Sequence, residues 1–121
     1  MDEISLEDSD DLTGRILVSY TYGNSQEHRC SVWAEMLVNV LVQIYSENPS
    51  GIKSLAKNES FGNIVFKNSE MSSDWAKIAN DLYVYKANST AAKLSILNRV
   101  FDETGKDKSE LVFKLKPLNQ S

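Results

Sequence analysis

The chain has 121 residues, 41% of them hydrophobic and 25% charged, with 17 acids against 13 bases. That length suits one domain with a single core, and the composition is that of a folded protein rather than a disordered one. No apolar run is long enough for a membrane helix, one cysteine precludes an internal disulfide, and one histidine leaves a zinc cluster short of ligands.

The acidity is local. Asp2, Glu3, Glu7, Asp8, Asp10 and Asp11 fall in residues 1–11 with no base among them, so the rest of the chain is about neutral to slightly basic. An acidic start is also the opposite of a signal peptide, which is basic and then apolar. A cytoplasmic location is therefore expected. Residues 1–13 read as an acidic flexible leader, because charge blocks and termini are usually solvated. Ile4, Leu6 and Leu12 give it some means of docking. Residues 14–117 are expected as a single α+β domain, and 118–121 as a tail.

After Gly14, the run from Arg15 to Tyr22 is β-branched and aromatic and reads as a strand. Gly23-Asn24-Ser25 is a turn cluster, and Gln26 to Cys30 can return as the second strand of a hairpin. The most apolar stretch follows, from Cys30 to Tyr45. Trp33, Met36, Leu37, Val40, Leu41, Ile44 and Tyr45 recur at helical spacing, with Val32, Val38 and Val42 as a second, narrower line. This is the central helix, with Ser31 placed to cap it and Asn48-Pro49 to end it.

Ser50 to Asn58 suits a short helix that turns Ile52, Leu55 and Ala56 inward. Glu59 to Asn63 is a loop, and Ile64 to Lys67 a short strand. Residues 68–81 carry two readings: a helix, since Met71, Trp75, Ile78 and Ala79 have helical spacing, or a loop with one helical turn, since that period lasts barely two turns. Leu82 to Lys86 is a strand. Asn88-Ser89-Thr90 opens a helix to about Thr104, lined by Leu94, Leu97 and Phe101 and closed by Gly105. Leu111 to Lys116 is the last strand, stopped by Pro117. The fold expected is α+β: a small mixed sheet, a long central helix with a second helix packed on it, and a C-terminal β-α-β unit with its strands parallel.

A hairpin leading into Ser31-Val32-Trp33, a long apolar helix ending at Glu47-Asn48-Pro49, and Tyr83-Val84-Tyr85-Lys86-Ala87-Asn88-Ser89-Thr90 opening a second helix make a familiar series. It resembles an uncharacterised accessory module of bacterial proteins, often found at the C-terminal end of restriction- or defence-associated chains. The resemblance spans roughly Tyr20 to Lys116, with Val32 separating a Ser-Trp pair that is otherwise adjacent. It implies a non-catalytic, partner-binding or DNA-related module and brings no catalytic residues with it.

The residues themselves offer little chemistry. His28 and Cys30 are two apart, which places them on one face of a strand, but a metal site needs further ligands and a thiol nucleophile needs an orienting third group. A buried structural Cys30 and a surface His28 are the plainer reading. Asp102 and Glu103 are adjacent and diverge by about 100° around a helix, so they do not share a site. No glycine loop has phosphate-binding spacing. No cofactor, metal or enzymatic activity is expected.

Binding is the remaining class. A protein partner or self-association would use Phe61, Phe66, Met71 and Trp75, in the stretch least explained by the core. The alternative is nucleic acid, or an anion at the Asn88 helix start, through Lys86, Asn88, Ser89 and Lys93. The dispersed lysines, Lys53, Lys57, Lys67 and Lys77 among them, together with Tyr83 and Tyr85 for stacking, would extend that surface. Ordinary helix capping by Ser89 and an evenly solvated lysine surface are the plainer alternatives.

Overall fold

In the computed structural model, which describes residues 1–118, the apolar period of the central helix sets the layers. Helix α1 (Trp33–Glu47) buries Met36, Leu37, Val40, Leu41 and Ile44. Val38 packs at the edge of the core, whereas Val32 and Val42 are exposed, so the second apolar line is only partly used. Ser31 does not cap the helix. Val32 holds the N-cap position in an extended conformation, and no side chain caps it. The Val32 carbonyl accepts from the Met36 N–H at 3.1 Å and from the Cys30 thiol at 3.2 Å.

Helix α2 (Pro49–Ala56) begins with proline, where a missing N–H costs nothing, and the Asn48 side chain accepts from the Gly51 N–H at 3.0 Å. It buries Ile52 and Leu55. A single helical turn, α3 (Gly62–Val65), follows. Helix α4 (Thr90–Thr104) buries Leu94, Ile96, Leu97, Val100 and Phe101. The Ser89 hydroxyl caps it, accepting from the Ala92 N–H at 3.1 Å, and Gly105 ends it with φ 68°, a left-handed geometry that glycine adopts without a side-chain clash.

The strands form two antiparallel sheets. In the first, β1 (Asp2–Ser5), β2 (Leu17–Tyr22), β3 (His28–Arg29) and β7 (Leu111–Leu115) lie in the order β1-β7-β2-β3. In the second, β4 (Phe66–Lys67), β5 (Trp75–Ala79) and β6 (Leu82–Tyr85) lie in the order β4-β6-β5. Helix α1 touches β2 of the first sheet and β5 of the second, and α2 and α4 pack on it and on each other. The molecule is therefore an α+β protein.

Three expectations are corrected here. The C-terminal β-α-β unit does not close a parallel pair. Strand β7 has β1 on one side and β2 on the other, so neither of its edges is open to β6, and α4 instead carries the chain from the second sheet to the first. Residues 1–13 are not a free leader. Ile4 sits opposite Phe113 in the β1–β7 ladder, Leu6 and Leu12 are buried, and the acids stay exposed. The Arg15 guanidinium donates to Asp2 at 2.6 Å and to the Lys116 carbonyl at 3.2 Å, which ties the N-terminal strand down. Residues 75–79 are a strand rather than a helix. A period of two satisfies them, with Ala76 and Ile78 inward and Trp75 and Lys77 outward, and Met71 is left in solvent. Of the expected tail, residues 119–121 lie outside the described residues.

The core joins all layers. Phe113 meets Trp33 edge-on at 5.4 Å between ring centroids, and Phe101 meets Tyr22 at 6.0 Å. The Trp33 indole donates to the Arg15 carbonyl at 3.3 Å. Above Tyr22 its hydroxyl donates to Glu47 at 2.8 Å, and the Lys106 ammonium lies 2.8 Å from the same carboxylate oxygen. This polar bridge links β2 to the C-terminal ends of α1 and α4. No helix among the described residues is long and apolar enough to cross a membrane.

Candidate functional site

The second sheet has one face in the core and one toward solvent. Its inward residues are Phe66, Ala76, Ile78, Leu82 and Val84. The alternation of strands then turns Lys67, Trp75, Lys77, Tyr83 and Tyr85 outward. Pairing aligns them in rows. Lys67 and Lys77 flank Tyr83 from β4 and β5, and Trp75 stands opposite Tyr85. The two rows are about 7 Å apart, the rise of two strand residues. Trp75 and Tyr85 touch, with centroids 5.1 Å apart. All three rings and Lys67 are part-exposed, and Lys77 is exposed.

At the hairpin end of this sheet the surface dips into a groove of about 710 Å³ between α2 and the β5–β6 turn. Tyr45, Ala56, Phe66 and Leu82 contribute its apolar lining, Lys53, Lys57 and Lys67 its cations, and Asn68, Asn80 and Asp81 the rest. The Lys53 ammonium lies 5.9 Å from the centre of the Tyr45 ring. The ion pairs among the described residues use Arg15, Lys106, Lys108 and Lys114, so the lysines of the groove and of the sheet face are uncommitted.

The partner residues expected from sequence are not one patch. Phe66 is 4% exposed, because the parity of β4 points it inward, so it cannot anchor a partner. Phe61 is half-buried and meets Phe66 edge-on at 6.2 Å, with the Arg99 guanidinium 5.3 Å above its ring. Met71 is 63% exposed in the loop before β5. Trp75 alone belongs to the aromatic face.

The alternative set is likewise divided. Ser89 is engaged as the α4 cap. Lys93 is 6% exposed, since its place on α4 faces the core, and its ammonium donates to the Asn88 carbonyl. Burial pushes that ammonium below the usual lysine range, which makes it a poor receptor for an external anion. The Asn88 side-chain oxygen is buried without a partner. Lys86 is half-buried at a shallow hollow shared with Glu35, Val38, Asn39 and Ala76, off the aromatic face.

His28 is exposed and stacks on Tyr20 at 5.2 Å. Cys30 is buried, and that burial pushes its thiol up, away from the nucleophilic thiolate. Among the described residues no cluster of three His, Cys, Asp or Glu side chains is placed to hold a metal ion. The sequence names Tyr83 and Tyr85 for stacking, Lys67 and Lys77 among the dispersed lysines and Trp75 as a partner residue, but not that the five share one face. The signal was there in the alternation Trp75-Ala76-Lys77-Ile78, which matches a strand with one wet face. No protein-family model, curated protein or solved structure matches the chain.

Proposed function

We propose that the chain is a binding module that receives single-stranded nucleic acid on the outer face of the second sheet. The observation that carries this reading is the row Lys67–Tyr83–Lys77 beside the pair Trp75–Tyr85. Part-exposed rings on a rigid sheet offer π-faces to unstacked bases, and stacking of this kind tolerates any base. Ammonium groups on either side of Tyr83 are within reach of the phosphates linking those bases. An overall charge of −4 does not oppose this, since the acids of residues 1–11 belong to the first sheet and the turn after it. A module of this kind suits the bacterial, defence-associated and cytoplasmic setting that the resemblance implies. With Phe66 in the core, the protein-partner reading keeps exposed Met71 and part-exposed Phe61 and Trp75.

The test is a fluorescence-anisotropy titration of a labelled oligothymidylate at low and rising salt. Binding should weaken with salt, and Lys67→Glu/Lys77→Glu should weaken it at every salt concentration. Loss of two phosphate contacts should reduce the slope of log K against log salt by about 1.4, at roughly 0.7 per contact on single strands. Absence of any binding at low salt would rule the reading out.

A further inference from the structure

We infer that the bound strand continues off the sheet into the groove beneath α2, where Lys53 and Lys57 take its phosphates. This rests on the reading just proposed and gives that site an extent. The outward residues of β6 run Tyr85, Tyr83 toward the β5–β6 turn, and the groove opens directly beyond them at Asn80 and Asp81. Lys67 belongs to both regions: it flanks Tyr83 on the sheet and lines the groove. A strand lying on the two aromatic rows reaches the groove by passing Lys67 and the β5–β6 turn at Asn80 and Asp81.

The groove repeats the chemistry of the face. Its apolar floor includes the Tyr45 ring, with Lys53 held above that ring at 5.9 Å. Three lysines against the single acid Asp81 leave its lining net positive. Lys53 and Lys57 are exposed and make no ion pair among the described residues, so a phosphate does not have to displace a carboxylate to reach them. Its volume of about 710 Å³ lies in the range that holds one small ligand, here a single nucleotide.

Oligothymidylates from about two to about eight nucleotides, the lower part of the range of site sizes known for single-strand binders, would be titrated against the full chain. Affinity should rise with length in two stages, the second appearing once the strand spans both sheet rows and the groove. Lys53→Glu/Lys57→Glu should erase the second stage, leave the shortest oligomers binding as before, and reduce the salt slope of the longest by about 1.4. Both positions are exposed, and the milder Lys53→Gln/Lys57→Gln should act in the same direction with thermal unfolding unchanged. If these variants bind long oligomers like the parent while Tyr83→Ala binds them poorly, the strand stops on the sheet and the inference is overturned. If no oligomer of any length binds, the sheet reading itself fails, and the inference with it.

Discussion

Trp75 and Tyr85 stand opposite each other in the antiparallel pairing of β5 and β6, with ring centroids 5.1 Å apart and planes tilted by 57°. The pair has two consequences. It fixes the register that puts Lys77 beside Tyr83, since aromatic cross-strand pairs contribute about 0.5–1.5 kcal/mol beyond their buried area. It also holds both rings in place before any ligand arrives, so a stacking base does not have to order them.

Tyr83 lies at the centre of the proposed face, between two lysines and one row from the pair. Its ring should therefore matter more to binding than to folding. Tyr83→Ala should weaken oligonucleotide binding by about 1–3 kcal/mol, roughly fivefold to more than a hundredfold. Tyr83→Phe should keep most of the affinity, because the π-face remains. Tryptophan emission provides a readout, and partial quenching on titration is expected, since Trp75 lies on the face and Trp33 packs against the core. Wild-type affinity in Tyr83→Ala would remove the ring from the interface.

Gly62 gives a prediction about folding alone. It opens α3 against the end of α2, and a Cβ there would lie 2.1 Å from the Ala56 carbonyl oxygen. That neighbour is backbone and cannot swing aside. The Gly62 N–H also donates to the Asn58 carbonyl at 2.7 Å, which closes the turn. Gly62→Ala should destabilise the protein by about 1–3 kcal/mol, the cost of overpacking a tight site. Urea unfolding monitored by circular dichroism measures it. A midpoint unchanged from the parent would mean that the α2–α3 junction relaxes freely.

Helices α1, α2 and α4 were legible in the sequence because each carries its own period, whereas the single turn α3 is too short for one and falls where a loop and the start of a strand are expected. The apolar spacing of α1 and α4 and the terminators Pro49 and Gly105 are local signals that tertiary contacts did not override. The sheets were less legible because pairing is a relation between distant segments. Nothing near Leu111 in sequence says that Asp2–Ser5 will occupy one of its edges. Met71, Trp75 and Ile78 fit a helical period and Trp75-Ala76-Lys77-Ile78 an alternating one, and only the β6 edge decides between them. The same limit applies to the site. Tyr83 and Tyr85 announce a face by alternation, but Lys67 and Lys77 join it through the register of three strands. Lys93 failed as a site residue for the converse reason, since a helix start can be exposed while its fourth residue turns inward.

The docking of residues 2–5 predicts a pattern of amide exchange. As an edge strand, β1 turns alternate backbone amides toward β7, and Arg15 clamps Asp2 at 2.6 Å. Amides of β1 that point at β7 should exchange more slowly than those of Asp10 and Asp11, which lie outside any strand. Arg15→Met should speed β1 exchange selectively while α1 stays protected. Intrinsic exchange rates throughout residues 1–13 of the parent would restore the flexible leader.

The bridge formed by Tyr22, Glu47 and Lys106 makes stability depend on pH at both ends of the scale. Burial raises the Glu47 carboxyl, but its hydrogen bonds with Lys106 and Tyr22 outweigh this and hold it below the usual glutamate value. A depressed carboxyl binds its proton more weakly in the folded state. Its contribution is thus complete above the unfolded value of about 4.3 and is lost as pH falls through the folded one. Tyr22 moves the other way. Burial first, then its bond to Glu47, push its hydroxyl well above the ordinary tyrosine range. That contribution is complete below about pH 10 and is lost as pH rises toward the folded value. Urea midpoints across a pH series should therefore fall at both extremes. Glu47→Gln should flatten the acid side, and Tyr22→Phe the alkaline side, each with some stability lost at neutral pH from the weakened bridge. An acid limb equally steep in parent and Glu47→Gln would assign the acid sensitivity to other carboxylates.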